Sequence, residues 1–183
     1  MADQFLTHIG VAAPLMLDNV DTDQIIPSRE MKTVSRDGLG EGLFAGWRYT
    51  QPGGRELNME FVLNKPEMLD VSVLIAGWNF GCGSSREHAV WALLEYGIRA
   101  IVAKSFGEIF YENCTRNGIL PIVLPETDVE RLAQSSAARE LAISLPEQTV
   151  TSSAIKDWVG RFDIGAYPKT LLMEGVCPIR LTL

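Results

Sequence analysis

Between residues 67 and 137, apolar blocks and helix-like blocks follow one another in a regular order. Val71–Ala76 is an almost unbroken apolar, β-branched run, which fits a strand buried on both faces. Glu87–Tyr96 reads as a helix stopped by Gly97 at a C′ position. Ile98–Ala103 is a second buried strand. Ser105-Phe-Gly-Glu108 is a capping-box pattern that opens a helix to about Asn117, with Gly118 as its stop. Ile119–Leu124 is a third strand, closed by Pro125. Thr127-Asp-Val-Glu130 is another capping box and opens a third helix to about Ser136. Strand and helix repeated three times predict right-handed βαβ crossovers and a parallel sheet covered by helices, an α/β fold.

The flanks are less regular. Residues 1–66 offer no 3.6-residue periodicity and read as short strands and long loops. Gly38 to Gly54 holds six glycines and Pro52 and should be irregular. Beyond residue 140, Leu141–Leu145 and Thr149–Ser152 read as a strand pair. A loop and a helix follow, with Pro168 near the first turn and Gly175 at the end. Ile179–Leu183 reads as a last strand without a polar tail, so that its end is buried or cut.

Composition narrows the class. The chain has 183 residues, 46% hydrophobic and 21% charged, with a net charge of −7. That length fits one domain, 1–183, able to bury about 70% of its unfolded surface. The hydrophobic share excludes a disordered chain. The acidic balance argues against a nucleic-acid binder and against anionic membrane surfaces. Cys82, Cys114 and Cys177 are an odd number and far apart. They give neither zinc nor iron–sulfur spacing and no disulfide framework, so no metal site is expected and the reducing cytoplasm is. The N-terminus shows no basic n-region or apolar h-region of a signal peptide. The longest apolar run, Val71–Trp78, is broken by Ser72 and Gly77 and is too short to span a membrane.

The candidate chemistry lies in Asn79-Phe-Gly-Cys-Gly-Ser-Ser-Arg-Glu-His-Ala89, which joins the carboxyl end of a buried strand to a helix N-terminus. Ligands bind at that place in open α/β sheets. Gly81 and Gly83 allow a sharp turn and close approach to a ligand. The helix start offers free N–H groups and a partial charge of about +0.5. Arg86 adds a planar fork for a carboxylate or phosphate. Ser84-Ser-Arg-Glu87 is equally a capping box, with Ser84 as N-cap and Glu87 at N3, so Ser84 is either a cap or a reacting group. Arg86 in a first turn opposes the macrodipole and calls for a bound anion or Glu87 beside it. His88 is either packed or catalytic. Cys82, near a helix start, is expected to have a lowered thiol pKa, although no resolving cysteine is close. Gly81-x-Gly83 is two-thirds of a dinucleotide fingerprint, with Arg86 in place of the third glycine. Two readings besides an enzyme of acid–base type follow: a non-enzymatic carboxylate-binding module and a nucleotide-binding oxidoreductase.

A second cluster is Asp18-Asn-Val-Asp21-Thr-Asp23-Gln-Ile-Ile-Pro27. Asn19, Asp21, Asp23 and Glu30 occupy positions 1, 3, 5 and 12 of an EF-hand template, but Gln24 replaces its glycine and Pro27 interrupts it. An Asx-turn network holding a tight loop is the reading from spacing. Arg29 and Lys32 follow as a solvated face or as anion clamps.

Gly81–Ala89 with Asn79-Phe80 resembles the signature of the aconitase swivel-domain family, and Asn19–Pro27 resembles its second signature. Leu43–Arg48 and Lys104–Phe110 fit as well. The resemblance spans nearly the whole chain and is greatest to the small subunits of 3-isopropylmalate dehydratase (isopropylmalate isomerase). It implies a swivelling β/β/α domain and an iron–sulfur large subunit carrying a [4Fe–4S] cluster, in a heterodimer or heterotetramer. It implies a hydro-lyase of leucine biosynthesis that converts 2-isopropylmalate to 3-isopropylmalate through an alkene. Ser84 is then the base and Arg86 the carboxylate clamp, with Ser85, Arg29 and Lys32 binding substrate. Asp21, Thr22, Asp23, Gly81, Gly83, Glu87 and His88 support the site. The chain departs from the family at Arg29-Glu30-Met31-Lys32. Relatives often carry Phe-Leu-Lys or Tyr-Leu-Lys there, and a Glu30 carboxylate suits an isopropyl arm only if it turns outward. A homoaconitase or another alkyl-malate or citraconate hydratase is the alternative substrate assignment.

Overall fold

The computed structural model describes residues 2–32, 35–135 and 139–175, Arg139 by its backbone alone. In chain order the elements are β1 (Thr7–Leu15), three single-turn helices α1 (Thr22–Ile25), α2 (Leu39–Gly42) and α3 (Ala45–Arg48), then β2 (Val71–Ala76) and α4 (Glu87–Tyr96). They continue with β3 (Ala100–Ala103), α5 (Glu108–Asn117), β4 (Leu120–Val123), α6 (Glu126–Ser135), β5 (Arg139–Ser144), β6 (Thr149–Ser152), β7 (Ile155–Arg161) and α7 (Ala166–Glu174).

The strands form one sheet in the order β4-β3-β2-β1-β5-β6-β7. The first four run parallel, and β1 turns the sheet antiparallel by pairing Ile9 with Ala142 of β5. The apolar run of β2 is unbroken because both its faces are covered. Leu74 and Ala76 join one core with Leu15, Val90, Leu93, Ile101 and Phe110, while Val73 and Ile75 join the other with Val102, Ile122, Val129 and Leu132. Gly97, Gly118 and Gly175 close α4, α5 and α7 in left-handed conformations.

Four local expectations change. The described part of residues 1–66 holds one nine-residue central strand, β1, with short helical turns in place of several short strands. Gly10 hides that strand because a Cβ there would stand 1.9 Å from Ser72 Oγ. Gly38–Gly54 is ordered in part as α2 and α3, because α4 reaches over it. The Glu95 carboxylate accepts hydrogen bonds from Gly38 N at 2.7 Å and Gly40 N at 2.6 Å, and Arg48 donates to Gly40 O at 2.8 Å. Neither capping box forms. Ser105 Oγ accepts from Asn79 N at 2.7 Å, and α6 already begins at Glu126, so Thr127 lies inside it. Lastly, β7 fills the expected loop as an edge strand, irregular at Asp157 with φ +56°. Ser136, Cys177 and the predicted strand Ile179–Leu183 lie outside the described residues.

Candidate active site

The loops leaving the carboxyl ends of β1 and β2 are laced together by their backbones. Gly81 N donates to Val20 O at 2.7 Å, Thr22 N to Cys82 O at 3.0 Å, and Thr22 Oγ1 to Ser84 O at 2.9 Å. Asp21 caps α1, accepting from Gln24 N at 2.8 Å, while Gln24 Oε1 accepts from Asp21 N at 3.0 Å. This is the Asx-type network expected of the acidic cluster. Asn79, with φ +56°, donates through Nδ2 to Asn19 Oδ1 at 3.0 Å and adds a further rung.

Gly81 is required by space as well as by its φ of +79°: a Cβ would lie 2.1 Å from Phe110 Cγ. Gly83 is required by its φ of +88° alone, since a Cβ there meets Asp21 Cβ at an ordinary 3.4 Å. Gly107 lets the α5 N-terminus approach, as a Cβ would lie 2.7 Å from Gly81 O.

The expected capping box at Ser84 does not form. α4 starts at Glu87, its N-cap is Arg86, and no side chain caps it. Ser84 and Ser85 stand exposed before the helix. Among the described residues, the N–H groups of Gly83, Ser84 and Ser85 have no acceptor in the chain, so they form a run of free donors suited to an anion. Arg86 therefore precedes the helix as its N-cap, and its partner within the chain is not Glu87. It pairs with Asp23 and donates to Ser28 Oγ at 2.9 Å. Glu87 instead accepts from Asn117 Nδ2 at 2.7 Å, and His88 packs on Trp91 with ring centroids 4.9 Å apart. The Cys82 thiol is pushed up, not down, first by burial and then by the Asp21 carboxylate. The helix start that was to lower it is at Glu87, too far along the chain to do so.

These groups share a cavity of about 290 Å³ lined by Ser84, Ser85, Arg86, Thr22, Gly81–Gly83 and the start of α5. Arg29 does not line it. With Pro27 and Trp47, Arg29 borders a neighbouring cavity of about 430 Å³, and Asp23 and Ser28 form the side nearest Arg86. Lys32 is exposed. Glu30 faces neither cavity: its side chain is buried against Arg55, whose Nη2 donates to Oε2 at 2.8 Å, while Met31 packs on the core. Ser28, Gly107 and Asn113, which also lines the Ser84 cavity, were not anticipated. The spacing Phe110, Asn113, Cys114 places an amide on an apolar helix face, and that polar interruption was the available signal.

The aconitase C-terminal domain family matches residues 2–127. The 3-isopropylmalate dehydratase small subunit of Cupriavidus necator is 55% identical over 99% of this chain and 88% of its own length. That of Listeria innocua is 49% identical over 96% and 88%. The crystal structure of a 3-isopropylmalate dehydratase from Methanocaldococcus jannaschii superposes with a TM-score of 0.73 at 29% identity, covering 97% of this chain and 94% of that one.

Proposed function

The chain belongs to the aconitase C-terminal domain family, among the small subunits of 3-isopropylmalate dehydratase, and on that premise we propose that it forms one wall of a shared active site. The reaction is the interconversion of 2-isopropylmalate and 3-isopropylmalate in leucine biosynthesis. A proton and a hydroxyl leave adjacent carbons to give an alkene and water. Water then returns with its hydrogen and hydroxyl exchanged between the two carbons. The observation that carries the reading is the convergence of Ser84, Arg86 and three free N–H groups on one cavity.

Ser84 Oγ takes the C–H proton. A serine hydroxyl does so only if its anion is stabilised, and Arg86 with the free N–H groups supplies positive potential beside it. Arg86 holds a substrate carboxylate bidentately when it turns from Asp23, and Ser85 donates a hydrogen bond. Arg29 and Lys32 provide a second cationic edge beyond Ser28. Asp21, Thr22, Asp23, Gly81, Gly83, Glu87 and His88 keep the wall in shape. Arg55 removes the objection raised by Glu30, because the carboxylate is tied away from any alkyl arm.

The described cysteines do not suit an iron–sulfur cluster. Cys114 is sealed in the core, Cys82 stands alone, and no three His, Cys, Asp or Glu side chains gather among the described residues. The cluster belongs in this proposal to a large subunit, where it would supply Lewis-acid chemistry. The whole chain, 1–183, acts as one swivelling unit in the cytoplasm. No helix among the described residues is long and apolar enough to cross a membrane.

Mixing the chain with an iron–sulfur large subunit and 2-isopropylmalate should produce the ultraviolet absorbance of the alkene. Activity from the large subunit alone at the same rate would overturn the proposal. A preference for homocitrate over 2-isopropylmalate would transfer it to a related dehydratase.

A further inference from the structure

Asn113 lies on the buried face of α5 beside Phe110 and Cys114 and is only 5% exposed. Its side chain is oriented by Arg116, whose Nη2 donates to Oδ1. A guanidinium has donors only, so the end that faces it must be the carbonyl and the NH₂ end must point elsewhere. Among the described residues, Asn113 Nδ2 donates to nothing; the other bond at this residue uses the backbone O, which accepts from Asn117 Nδ2 at 2.8 Å. Arg48 Nε is the one fully sealed side-chain N or O atom without a partner among those residues, so Nδ2 keeps an opening. Asn113 lines the cavity of Ser84, Ser85 and Arg86.

We propose that Asn113 Nδ2 is a substrate-binding donor, hydrogen-bonding a carboxylate oxygen of the dicarboxylate from the α5 side of the cavity. The inference rests on the reading of Ser84 and Arg86 as the reacting wall. Nδ2 has no partner among the described residues, and a carboxylate oxygen bound in the cavity would accept from it. The α5 wall thus adds a neutral donor to the cavity that Arg86 also lines. A neutral donor suits a site that must release its product as well as bind its substrate.

The test is the assembled enzyme with Asn113→Asp and Asn113→Ser, assayed on 2-isopropylmalate across pH. Asp keeps the oxygen that Arg116 holds but turns an acceptor toward the substrate carboxylate. It should raise KM at least tenfold at pH 8 with a smaller change in kcat. The defect should persist as pH falls, because Arg116 beside it holds the new carboxyl ionised. Ser should raise KM about fivefold. Unchanged KM in both variants, or a lowered melting temperature with KM intact, would overturn the assignment. If Asp fails to fold, thermal protection by 2-isopropylmalate in the Ser variant decides, since full wild-type protection counts against it. Ser84→Ala in the same assay separates the two claims: full activity there removes the reacting wall itself, whatever Asn113 does.

Discussion

β1 and β2 carry polar groups at both of their ends, and the two ends use them oppositely. At the amino end, His8 and Ser72 face each other across the pair at 2.8 Å, with Gly10 pressed against both. These two side chains find each other within the chain. At the carboxyl end the backbones are laced just as tightly, yet among the described residues the Ser84 and Ser85 hydroxyls and three N–H groups are left without partners, and Arg86 is held only by exposed Asp23 and Ser28. One sheet thus closes its polar groups at one end and holds them open at the other. Changes at the carboxyl end should alter kinetics, and changes at the amino end should alter only folding.

The largest effect expected is from Ser84→Ala. Loss of a general base lowers kcat by about 10²–10⁴-fold, and the melting temperature should stay put because Ser84 Oγ caps nothing. A fall in both would mean that the open end is structural after all. Gly81→Ala tests the lacing that holds the wall. The new Cβ collides with Phe110 and the left-handed φ adds strain, so about 3 kcal/mol of stability should be lost in thermal unfolding. Arg86→Lys retains charge but loses the fork, and kcat/KM should drop roughly 10²-fold, equivalent to about 3 kcal/mol. Gly83→Ala has only its φ to overcome and should cost about 1 kcal/mol. Equal losses at Gly81 and Gly83 would show that Phe110 yields.

The contrast also explains what could be read from the sequence. The parallel strands and their helices were legible because burial on both faces writes an unbroken apolar run, as in Val71–Ala76, and glycine stops such as Gly97 are local signals. The motif also brought Ser84 and Arg86 together, and both line one cavity. Of the two readings of Ser84, the cap fails because a capping box specifies which bonds are available, not which form. Thr22 Oγ1 takes the Ser84 carbonyl, and the helix starts at Glu87. The Asp23–Arg86 pair, the Glu30–Arg55 pair and the Glu95 clamp on Gly38 and Gly40 join residues 63, 25 and 55–57 positions apart, a separation on which no local pattern reports. Asn113 lines the cavity from a separate helix, and no local pattern reports that either.

The smallest effect belongs to the amino end. Burial, and then the nearby Arg99 charge, hold the His8 pKa below its ordinary value in the folded chain. Between the folded and unfolded pKa values the unfolded chain binds the extra proton, so stability there rises with pH. The contribution is fully present above the unfolded pKa, near about 6.5, and is lost as pH falls through the lower folded pKa. Thermal unfolding of the assembled enzyme at pH 7.5 and 5.5 should therefore show a drop that His8→Gln reduces, while KM for 2-isopropylmalate at pH 7.5 stays as in the wild type. His8 bonds Ser72 on the same sheet as the site, so a change in KM would mean that β1 and β2 transmit strain along their length. The closed end would then be part of the open end's machinery, whereas an unchanged KM leaves the two ends independent.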